Sequence, residues 1–546
     1  MVCFGGAMSD IPINPESDIR AKKANIFSIG VVGGALFVAV CLKVILILSN
    51  SIPFNSDEAI VGLMARHILQ GARPVFFYGQ AYMGSLDSWL VAGAFQVFGQ
   101  NVFAIRFVQI FLYLIFMITT WGMARRFFID LNVANFAIWV TAIPPVMVTT
   151  YTTISLGGYG ETLVFGNLIL WLGYEVIFGA CNRKWLAWLA LGVISGMAFW
   201  TLGMAGVYIL PLAVVGLWKH RFRLAGYYLV CAVGFLIGSF PWWVYNLIYQ
   251  GASLDVLLKS SLPPSTLLTN LTVFFFFGIP GLLGFRPPSS PDYLPWPLSL
   301  AVFAFFSAAI YTLVRSYRKG NLKVADGVLP ILGVLVICFT IVIIFSNYGI
   351  DLTGRYYLPL YLVYVFGIAL FVWVGWKKKP ILGYLLLSFV LVVNGLATWR
   401  VAASQAKFTD QFTQITMFDN QYDDELITFL REHDELRGYT NYWVSFRLAF
   451  LSDEDIIYAA KLPYKDDLYY NPANNRYPAY DEIVSTSDRM AYITSRHPVL
   501  DALLRKKFGA LGISFLEAQV GDFRVFYELS RVVRPEEIGL GFETPR

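Results

Sequence analysis

The sequence predicts a polytopic α-helical membrane protein of about eleven spans, with a small α/β domain at its C-terminal end. Apolar residues make up 57% of the 546 residues and charged residues only 14%, which is more apolar surface than one water-soluble core can bury. Residues 1–399 carry 24 Lys and Arg against 13 Asp and Glu, whereas residues 400–546 carry 17 against 23. The two parts are therefore expected to have different solvents, with a boundary near Trp399 and Arg400.

Apolar runs of about 17–25 residues are long enough to cross a bilayer core of roughly 30 Å. The first run is too long for the core of a signal peptide and follows Arg20, Lys22 and Lys23, so it is interpreted as an uncleaved span. The predicted spans are residues 26–49, 102–124, 131–150, 161–179, 185–201, 203–218, 224–246, 297–314, 327–346, 357–376 and 380–399.

Basic clusters between these runs predict the orientation of the chain. If residues 1–25 are cytoplasmic, every cluster falls on the cytoplasmic side, as the positive-inside rule requires. The clusters are Arg125-Arg126, Arg183-Lys184, residues 219–223, residues 315–323 and residues 377–379. We therefore predict a multi-pass protein of the cell (inner) membrane. Its N-terminus is cytoplasmic, its transmembrane domain is residues 26–399, and residues 400–546 form a soluble extracytoplasmic domain.

Two outward regions have further predicted structure. Within residues 50–101, the stretches Ser56–Gln70 and Ala81–Phe98 are helix-like and apolar enough to lie along the membrane interface. Asn55 or Ser56 is a suitable N-cap for the first of them. Residues 421–546 alternate short helical and strand-like pieces, which favours a small α/β domain. Those pieces are Asp424–Glu432, Ile456–Ala459, Leu500–Lys507 and the hairpin-like Phe515–Glu528.

Acidic residues are scarce in residues 1–399, and most of those outside the cytoplasmic tail fall at predicted outer ends of spans. Asp57 and Glu58 directly follow the first span. A carboxyl group with partly apolar surroundings there is weakly solvated, which raises its pKa and suits it to act as a general base. The alternative is an acid pair that only stabilises the N-terminus of a helix. From position alone, these two interpretations carry equal weight.

Four more charged residues in the predicted outward segments are candidate functional residues. Glu161 follows a glycine-rich loop, residues 157–160, that lets backbone approach a ligand, although an ordinary turn has the same composition. Arg355 departs from the positive-inside pattern, and its guanidinium suits a phosphate. Lys259 and Arg286 are further outward cations, for which contact with lipid headgroups is the alternative.

Other kinds of site are not indicated. The five cysteines have no paired spacing, and His67 has no second histidine nearby. There is no P-loop, Rossmann glycine fingerprint, HExxH motif or nucleophile elbow. No cofactor is indicated, and the residues leave open whether a divalent metal ion is needed.

Several segments together resemble a known family. The first outward region reads Asn55-Ser56-Asp57-Glu58, then IVGLMARHILQG and FFYGQAYMGSLDSWLVAGAFQVFG. This region resembles the start of membrane glycosyltransferases of the C-type fold, in the branch of protein O-mannosyltransferases and lipid A aminoarabinose transferases. The later segments DLTGRYYLPLY, YTNYWVSFRLAFLS and NNRYPAYDEIV resemble bacterial dolichyl-phosphate-mannose-type transferases.

The resemblance implies an inverting transfer of a sugar from a polyprenyl phosphate to an acceptor hydroxyl at the outer face. It implies that Asp57 is the catalytic acidic residue with Glu58 beside it, and that Glu161 matches an acid of the second outward loop. Arg355 is inferred to contact the donor phosphate, with Lys259 and Arg286 as further candidates. The implied partners are a polyprenyl-phosphate sugar, a glycan, lipid or protein acceptor, and membrane lipids, but no nucleic acid.

Two other functions fit a polytopic chain with an outward domain. A transporter or flippase of lipid-linked sugars normally carries inverted repeats and a site near the membrane midplane, and neither is visible. A membrane scaffold with an outward binding domain leaves Asp57, Glu58 and Arg355 without a role. Retention of a labelled lipid-linked sugar by the purified protein separates an enzyme from a scaffold.

Overall fold

The computed structural model of the chain describes residues 15–179, 184–258, 267–409, 411, 414–417 and 419–541. It consists of a helical bundle followed by a small α/β domain, here called the tail domain (residues 419–541). The helices of the bundle are α1 (Pro15–Leu48), α2 (Ser56–Leu69), α3 (Leu86–Phe98), α4 (Val102–Phe127), α5 (Leu131–Ala142), α6 (Val146–Tyr151), α7 (Tyr159–Phe178), α8 (Lys184–Thr201), α9 (Gly206–His220), α10 (Ala225–Gly238), α11 (Phe240–Ile248), α12 (Ala252–Leu258), α13 (Leu267–Val273), α14 (Ile279–Leu282), α15 (Trp296–Arg318), α16 (Val328–Ile344), α17 (Tyr361–Lys378) and α18 (Pro380–Ala402).

Seven helical segments in the described residues are long and apolar enough to cross a membrane. They are Ser28–Leu48, Val102–Phe127, Tyr159–Phe178, Gly203–Gly238, Trp296–Arg318, Arg355–Lys378 and Pro380–Ala402. Gly203–Gly238 is not one straight helix, because Arg221 has φ 49° and separates α9 from α10. Four shorter apolar helices are Leu86–Phe98, Leu131–Ala142, Leu267–Leu282 and Val328–Ile344.

Two predicted helices are interrupted in the structure. The span predicted at residues 131–150 breaks between α5 and α6, at Pro144 and Pro145. Proline has no N–H to donate and disfavours a helical conformation in the residue before it. The interfacial helix predicted from Ala81 instead begins at Leu86, because residues Gln80–Gly84 form strand β2, which pairs antiparallel with β1 (Phe76–Phe77).

Helix α2 begins and ends close to where the sequence predicts. The side chain of Asn55 caps its N-terminus by accepting a hydrogen bond from the backbone N–H of Glu58 at 2.9 Å. Twelve of its fourteen residues are buried. The helix therefore lies inside the protein, between the bundle and the tail domain, rather than on an exposed membrane surface.

The tail domain contains a five-stranded mixed sheet in the order β4 (Ile457–Leu462), β3 (Arg437–Asn441), β5 (Ala491–Ser495), β7 (Phe523–Tyr527) and β6 (Leu516–Val520). Strand β3 pairs parallel with β4 and β5, whereas β7 pairs antiparallel with β5 and β6. Its elements are α19 (Asp423–Glu432), β3 (Arg437–Asn441), α20 (Tyr442–Leu451), β4 (Ile457–Leu462), α21 (Ala479–Ser485), β5 (Ala491–Ser495), α22 (Pro498–Ala510), β6 (Leu516–Val520) and β7 (Phe523–Tyr527).

The tail domain packs on the bundle through α2 and α20. A Cβ atom at Gly62 of α2 would lie 2.5 Å from the ring of Phe450, so the two helices approach closely. The Ser56 hydroxyl donates to the carbonyl oxygen of Tyr442 at 2.7 Å, and Arg66 forms an ion pair with Asp453 at 2.8 Å. These contacts hold α2 against the tail domain from its first turn to its last.

Candidate active site

A cavity of about 270 Å³ lies where the bundle meets the tail domain. Both parts of the chain contribute to its wall, and most of the lining side chains are polar or aromatic. The lining residues are Asp57, Phe77, Gln80, Tyr82, Met83, Leu156, Tyr159, Thr353, Arg355, Gln411, Tyr442, Trp443, Tyr464, Asn474 and Arg476. We call this space the Asp57 cavity.

Asp57 is the carboxylate of this cavity. It lies in the first turn of α2 and is only half-buried, so its side chain is accessible from the cavity. The hydroxyl of Tyr442 donates a hydrogen bond to its Oδ1 atom. Burial and the neighbouring Asp57 raise the pKa of Tyr442 well above its ordinary value, so this tyrosine stays protonated as a donor. The contact fixes one carboxylate oxygen, and no residue in the described part of the chain donates a hydrogen bond to Oδ2.

Two guanidinium groups line the same cavity. Arg355 follows Gly354, whose φ of 79° favours glycine, and its Nε lies 2.7 Å from Oδ2 of Asp351. Arg476 comes from the tail domain and lies 5.5 Å from the ring centre of Tyr442. With its amide oriented so that the oxygen faces Arg476, Gln80 accepts two hydrogen bonds, at 2.8 and 2.6 Å. The cavity thus presents two fixed cations to a bound anion.

Neutral hydroxyl donors occupy much of the remaining wall. Burial raises the pKa of Tyr82 to about 12, and burial also raises the pKa of Tyr464. Both side chains therefore remain protonated near neutral pH. A carboxylate, two guanidinium groups and several phenols suit a ligand that combines a phosphate with hydroxyl groups.

Comparison with known proteins gives a partial family match and a fold for this chain. Residues 85–245 match the family described as dolichyl-phosphate-mannose-protein mannosyltransferase. The chain superposes on ArnT from Cupriavidus metallidurans bound to undecaprenyl phosphate with a TM-score of 0.53 and 13% identity, over 93% of this chain and 98% of that one. The Archaeoglobus fulgidus oligosaccharyltransferase in the apo form gives a TM-score of 0.50 and 13% identity, over 86% and 69%. The chain has the C-type glycosyltransferase fold.

The sequences of curated relatives align with only part of this chain. An undecaprenyl phosphate-alpha-4-amino-4-deoxy-L-arabinose arabinosyl transferase of Pseudomonas aeruginosa (strain UCBPP-PA14) is 25% identical over 222 residues, 38% of this chain and 39% of that protein. An uncharacterized protein of Aquifex aeolicus is 23% identical over 305 residues, 52% and 55% of the two chains. The chain spans between two fifths and just over half of these relatives' lengths. With seven apolar segments and membrane transferases as relatives, it is an integral membrane protein.

Glu58, predicted beside Asp57 as a catalytic residue, does not line the cavity of this C-type fold. Its side chain is fully buried, and its two oxygens accept hydrogen bonds from Nε and the terminal nitrogen of Arg106, each at 2.9 Å. Burial raises the pKa of Glu58, while the ion pair with Arg106 opposes this effect. Consecutive residues of a helix differ in direction by about 100°, so the pair divides into one cavity-facing and one core-facing carboxylate.

Glu161, the other predicted catalytic acid, is also buried away from the cavity, at 2% exposure. It lies near Asp87, whose oxygens accept from Ser155 at 2.5 Å and from Gln109 at 3.0 Å. Burial raises the pKa of Asp87. From the same loop, Tyr159 lines the cavity instead of Glu161.

The two further predicted phosphate ligands have different outcomes. Arg286 is 1% exposed, and its guanidinium donates to the carbonyl oxygens of Ser290, Leu352, Phe277 and Pro288 at 2.7–3.3 Å. These bonds tie together residues 277–290 and Leu352, and Arg286 does not line the Asp57 cavity. Lys259 lies outside the described residues. Of the predicted cations, therefore, Arg355 is the one that reaches the cavity in the described part of the chain.

Sequence reasoning missed the contributions of the tail domain. Tyr442 and Arg476 fall within segments that carry the family resemblance, but polar residues are common in a soluble domain and do not stand out there. Tyr442 contacts Asp57 across 385 positions of sequence. In the described residues, no group of three or more His, Cys, Asp or Glu side chains is placed to hold a metal ion.

Proposed function

We propose that the chain is a glycosyltransferase that moves a sugar from a polyprenyl-phosphate donor to an acceptor hydroxyl, with inversion, at the outer face of the membrane. The observation that carries this proposal is the presence of Asp57, Arg355 and Arg476 in one cavity of a C-type fold. The comparisons support the donor class, because one structural relative is described as bound to undecaprenyl phosphate.

The reaction is a displacement at the anomeric carbon of the sugar. The acceptor oxygen attacks this carbon while the bond to the phosphate oxygen breaks, and the phosphate leaves with the bonding electron pair. Attack from the side opposite the leaving group inverts the configuration. Oδ2 of Asp57 takes the proton of the acceptor hydroxyl, while Tyr442 holds Oδ1 and so positions the carboxylate.

The leaving phosphate gains negative charge as the bond breaks. Arg355 and Arg476 supply fixed positive charge on the cavity wall, and fixed charge stabilises the transition state without reorganisation. Asp351 holds the Arg355 guanidinium at its Nε, which leaves the terminal nitrogens to contact the phosphate. The donor is itself a lipid, and long apolar helices beside the cavity suit its polyprenyl chain.

A neighbouring cavity supports a route for the acceptor. It has a volume of about 290 Å³ and shares Gln411 and Trp443 with the Asp57 cavity. It opens between the first outward region and the tail domain, with Asn55, Lys407 and Arg447 among its lining residues. An acceptor entering here would bring its hydroxyl to Asp57 from the side of the tail domain.

Outer-face chemistry is supported by where charges lie in the bundle. Arg126 and Lys377 pair with Glu175 and Asp130 at the end of the bundle away from the tail domain. Under the positive-inside rule this basic end is cytoplasmic. The Asp57 cavity and the tail domain then face outward.

The test measures donor binding and sugar transfer separately. The full chain in lipid nanodiscs is given labelled undecaprenyl-phosphate sugar, and we expect Asp57→Asn to retain the donor while turnover falls at least about a hundredfold, the range for a lost general base. Arg355→Gln should weaken donor retention. Asp424→Asn and Arg431→Gln, exposed substitutions in the tail domain, are the matched controls and should match wild type in both measurements.

Three results would contradict the proposal. Near wild-type turnover in Asp57→Asn excludes this residue as the base. Unchanged donor retention in Arg355→Gln excludes its phosphate contact. A wild-type protein that retains no lipid-linked sugar would exclude the donor class altogether.

A further inference from the structure

A third cavity lies at the end of the bundle farthest from the tail domain. Helix α4 shows the direction, since Arg106 near its start contacts Glu58 beside the tail domain, and Phe128 follows its other end. The cavity has a volume of about 670 Å³, against about 270 Å³ for the Asp57 cavity. Its lining includes Asp130, Lys323, Leu370, Val374, Lys377 and Lys378. We call it the lysine cavity.

The lining of this cavity has an excess of positive charge. Three lysines face one acid, and the Nζ atom of Lys377 lies 3.1 Å from Oδ2 of Asp130. Asp130 also caps α5, where its Oδ1 accepts from the backbone N–H of Asn132 at 3.0 Å. Lys323 and Lys378 are exposed and form no ion pair with any residue that the structure describes. Two positive charges are therefore available to a ligand.

The same cavity has an apolar part. Val133 is 1% exposed, and Leu131, Leu370 and Val374 are partly buried. Trp373 lies among them, and tryptophan is the residue type that favours the boundary between headgroups and acyl chains. The lining therefore changes from aliphatic to cationic between its buried and exposed sides. A small soluble anion would use only the lysines.

We propose that the lysine cavity binds an anionic glycerophospholipid. Its phosphate contacts Lys323 and Lys378, and the first part of an acyl chain packs against Leu370 and Val374. A basic pocket between membrane helices is the kind of site that holds anionic headgroups. The ordinary role of such lysines is to orient the chain in the membrane. Orienting the chain requires only positive charge on this side of the bundle. It does not require a site that one lipid molecule can saturate.

The experiment separates a site from general surface charge. The purified full chain in detergent is titrated with dioleoyl phosphatidylglycerol or dioleoyl phosphatidylcholine, and bound lipid is counted by native mass spectrometry. We expect one phosphatidylglycerol to bind at least about tenfold more tightly than phosphatidylcholine. Each lysine contributes about 1 kcal/mol near a membrane surface, so the double variant Lys323→Ala/Lys378→Ala should bind phosphatidylglycerol about thirtyfold more weakly.

The matched control is the double variant Arg318→Ala/Lys319→Ala, which also removes two positive charges, from exposed positions outside the cavity. It should bind phosphatidylglycerol like wild type, as should Lys323→Arg/Lys378→Arg, which keeps both charges. Thermal unfolding without lipid checks that every variant is folded.

Three outcomes overturn the inference. The first is equal affinity for the two lipids. The second is an equal loss of affinity in Arg318→Ala/Lys319→Ala and in Lys323→Ala/Lys378→Ala, which would indicate surface charge. The third is displacement of phosphatidylglycerol by equimolar glycerol 3-phosphate, which would assign the cavity to a soluble phosphate. None of these results depends on the proposed sugar transfer.

Discussion

At the scale of single residues, two neighbouring acids have different environments. Asp57 is half-buried, contacts Tyr442 and lines a cavity, whereas Glu58 is fully buried against Arg106. One carboxylate is available to a substrate, and the other neutralises a guanidinium in the protein interior. Position in the sequence could not separate them, because the separation depends on which way each side chain leaves α2.

The first prediction concerns the buried pair of Glu58 and Arg106. Glu58→Gln leaves the Arg106 guanidinium buried without its counter-charge, which costs about 3–5 kcal/mol in comparable pairs. We expect a clear fall in the thermal unfolding midpoint of the detergent-solubilised protein. Asp57→Asn keeps an amide oxygen that can accept from Tyr442 and leaves no buried charge without its partner, so it should lower the midpoint much less than Glu58→Gln.

A double variant controls for this effect. Glu58→Gln/Arg106→Met removes both charges, and replacing a buried ion pair by apolar groups is often nearly neutral. The double variant should therefore recover part of the lost midpoint. If Glu58→Gln unfolds at the wild-type temperature but loses all turnover, Glu58 acts in catalysis and the structural interpretation is wrong.

The sequence indicated some site residues and could not indicate others. Asp57 and Arg355 stood out because charge is scarce at the outer ends of spans. Glu161 and Arg286 stood out for the same reason, yet Glu161 is buried beside Asp87, and the guanidinium of Arg286 donates to backbone carbonyl oxygens. Scarcity of charge identifies residues that have a partner, but not whether the partner is a substrate or the protein itself.

At the scale of elements, α8 and α10 form an unusually close pair. Gly192 and Gly196 of α8 face Gly234 and Gly238 of α10, with backbone atoms in direct contact. Small residues at this spacing allow membrane helices to approach and gain dispersion contacts. Hydropathy predicted both helices, but it does not report which face of a helix contacts another.

A second prediction follows from this pair. A Cβ atom at Gly238 would lie 2.1 Å from the carbonyl oxygen of Val193, so Gly238→Leu must push the helices apart. We expect a thermal midpoint lower by several degrees and reduced yield of folded protein. Gly226→Leu is the matched control in the same helix, since a Cβ there meets no atom within 4 Å. Equal midpoints for the two variants would show that close contact at Gly238 is unimportant.

Strand β2 shows where element prediction failed. Residues 81–84 continue an apolar run that reads as helix, but Gln80–Gly84 pair with Phe76–Phe77 after a turn at Gly79, whose φ is 68°. Pairing between two chain segments is a tertiary contact, and it outweighs the weak helical preference of a few residues. The strand places Gln80 and Tyr82 on the cavity wall.

At the scale of the whole molecule, the tail domain forms part of the candidate site. Charge composition predicted a boundary between an apolar part and an acidic part, and the structure has a helical bundle and an α/β domain on its two sides. Composition carries no information about how two domains pack. Their contact through α2 and α20 brings Tyr442 and Arg476 to Asp57 and Arg355.

Sidedness is the property of the whole molecule on which outer-face chemistry depends, and it gives the last prediction. In a cysteine-free background, Ser485→Cys lies on the exposed surface of the tail domain, and Lys319→Cys is exposed at the basic end of the bundle. In spheroplasts, a membrane-impermeant maleimide should label Ser485→Cys fully, because the positive-inside rule places the tail domain outside. Lys319→Cys should react only after the membrane is permeabilised.

The reverse pattern would move the Asp57 cavity to the cytoplasmic face, where a donor displayed outside could not reach it. Labelling of both sites in intact spheroplasts would mean an even number of crossings between them, and therefore that one predicted span does not cross.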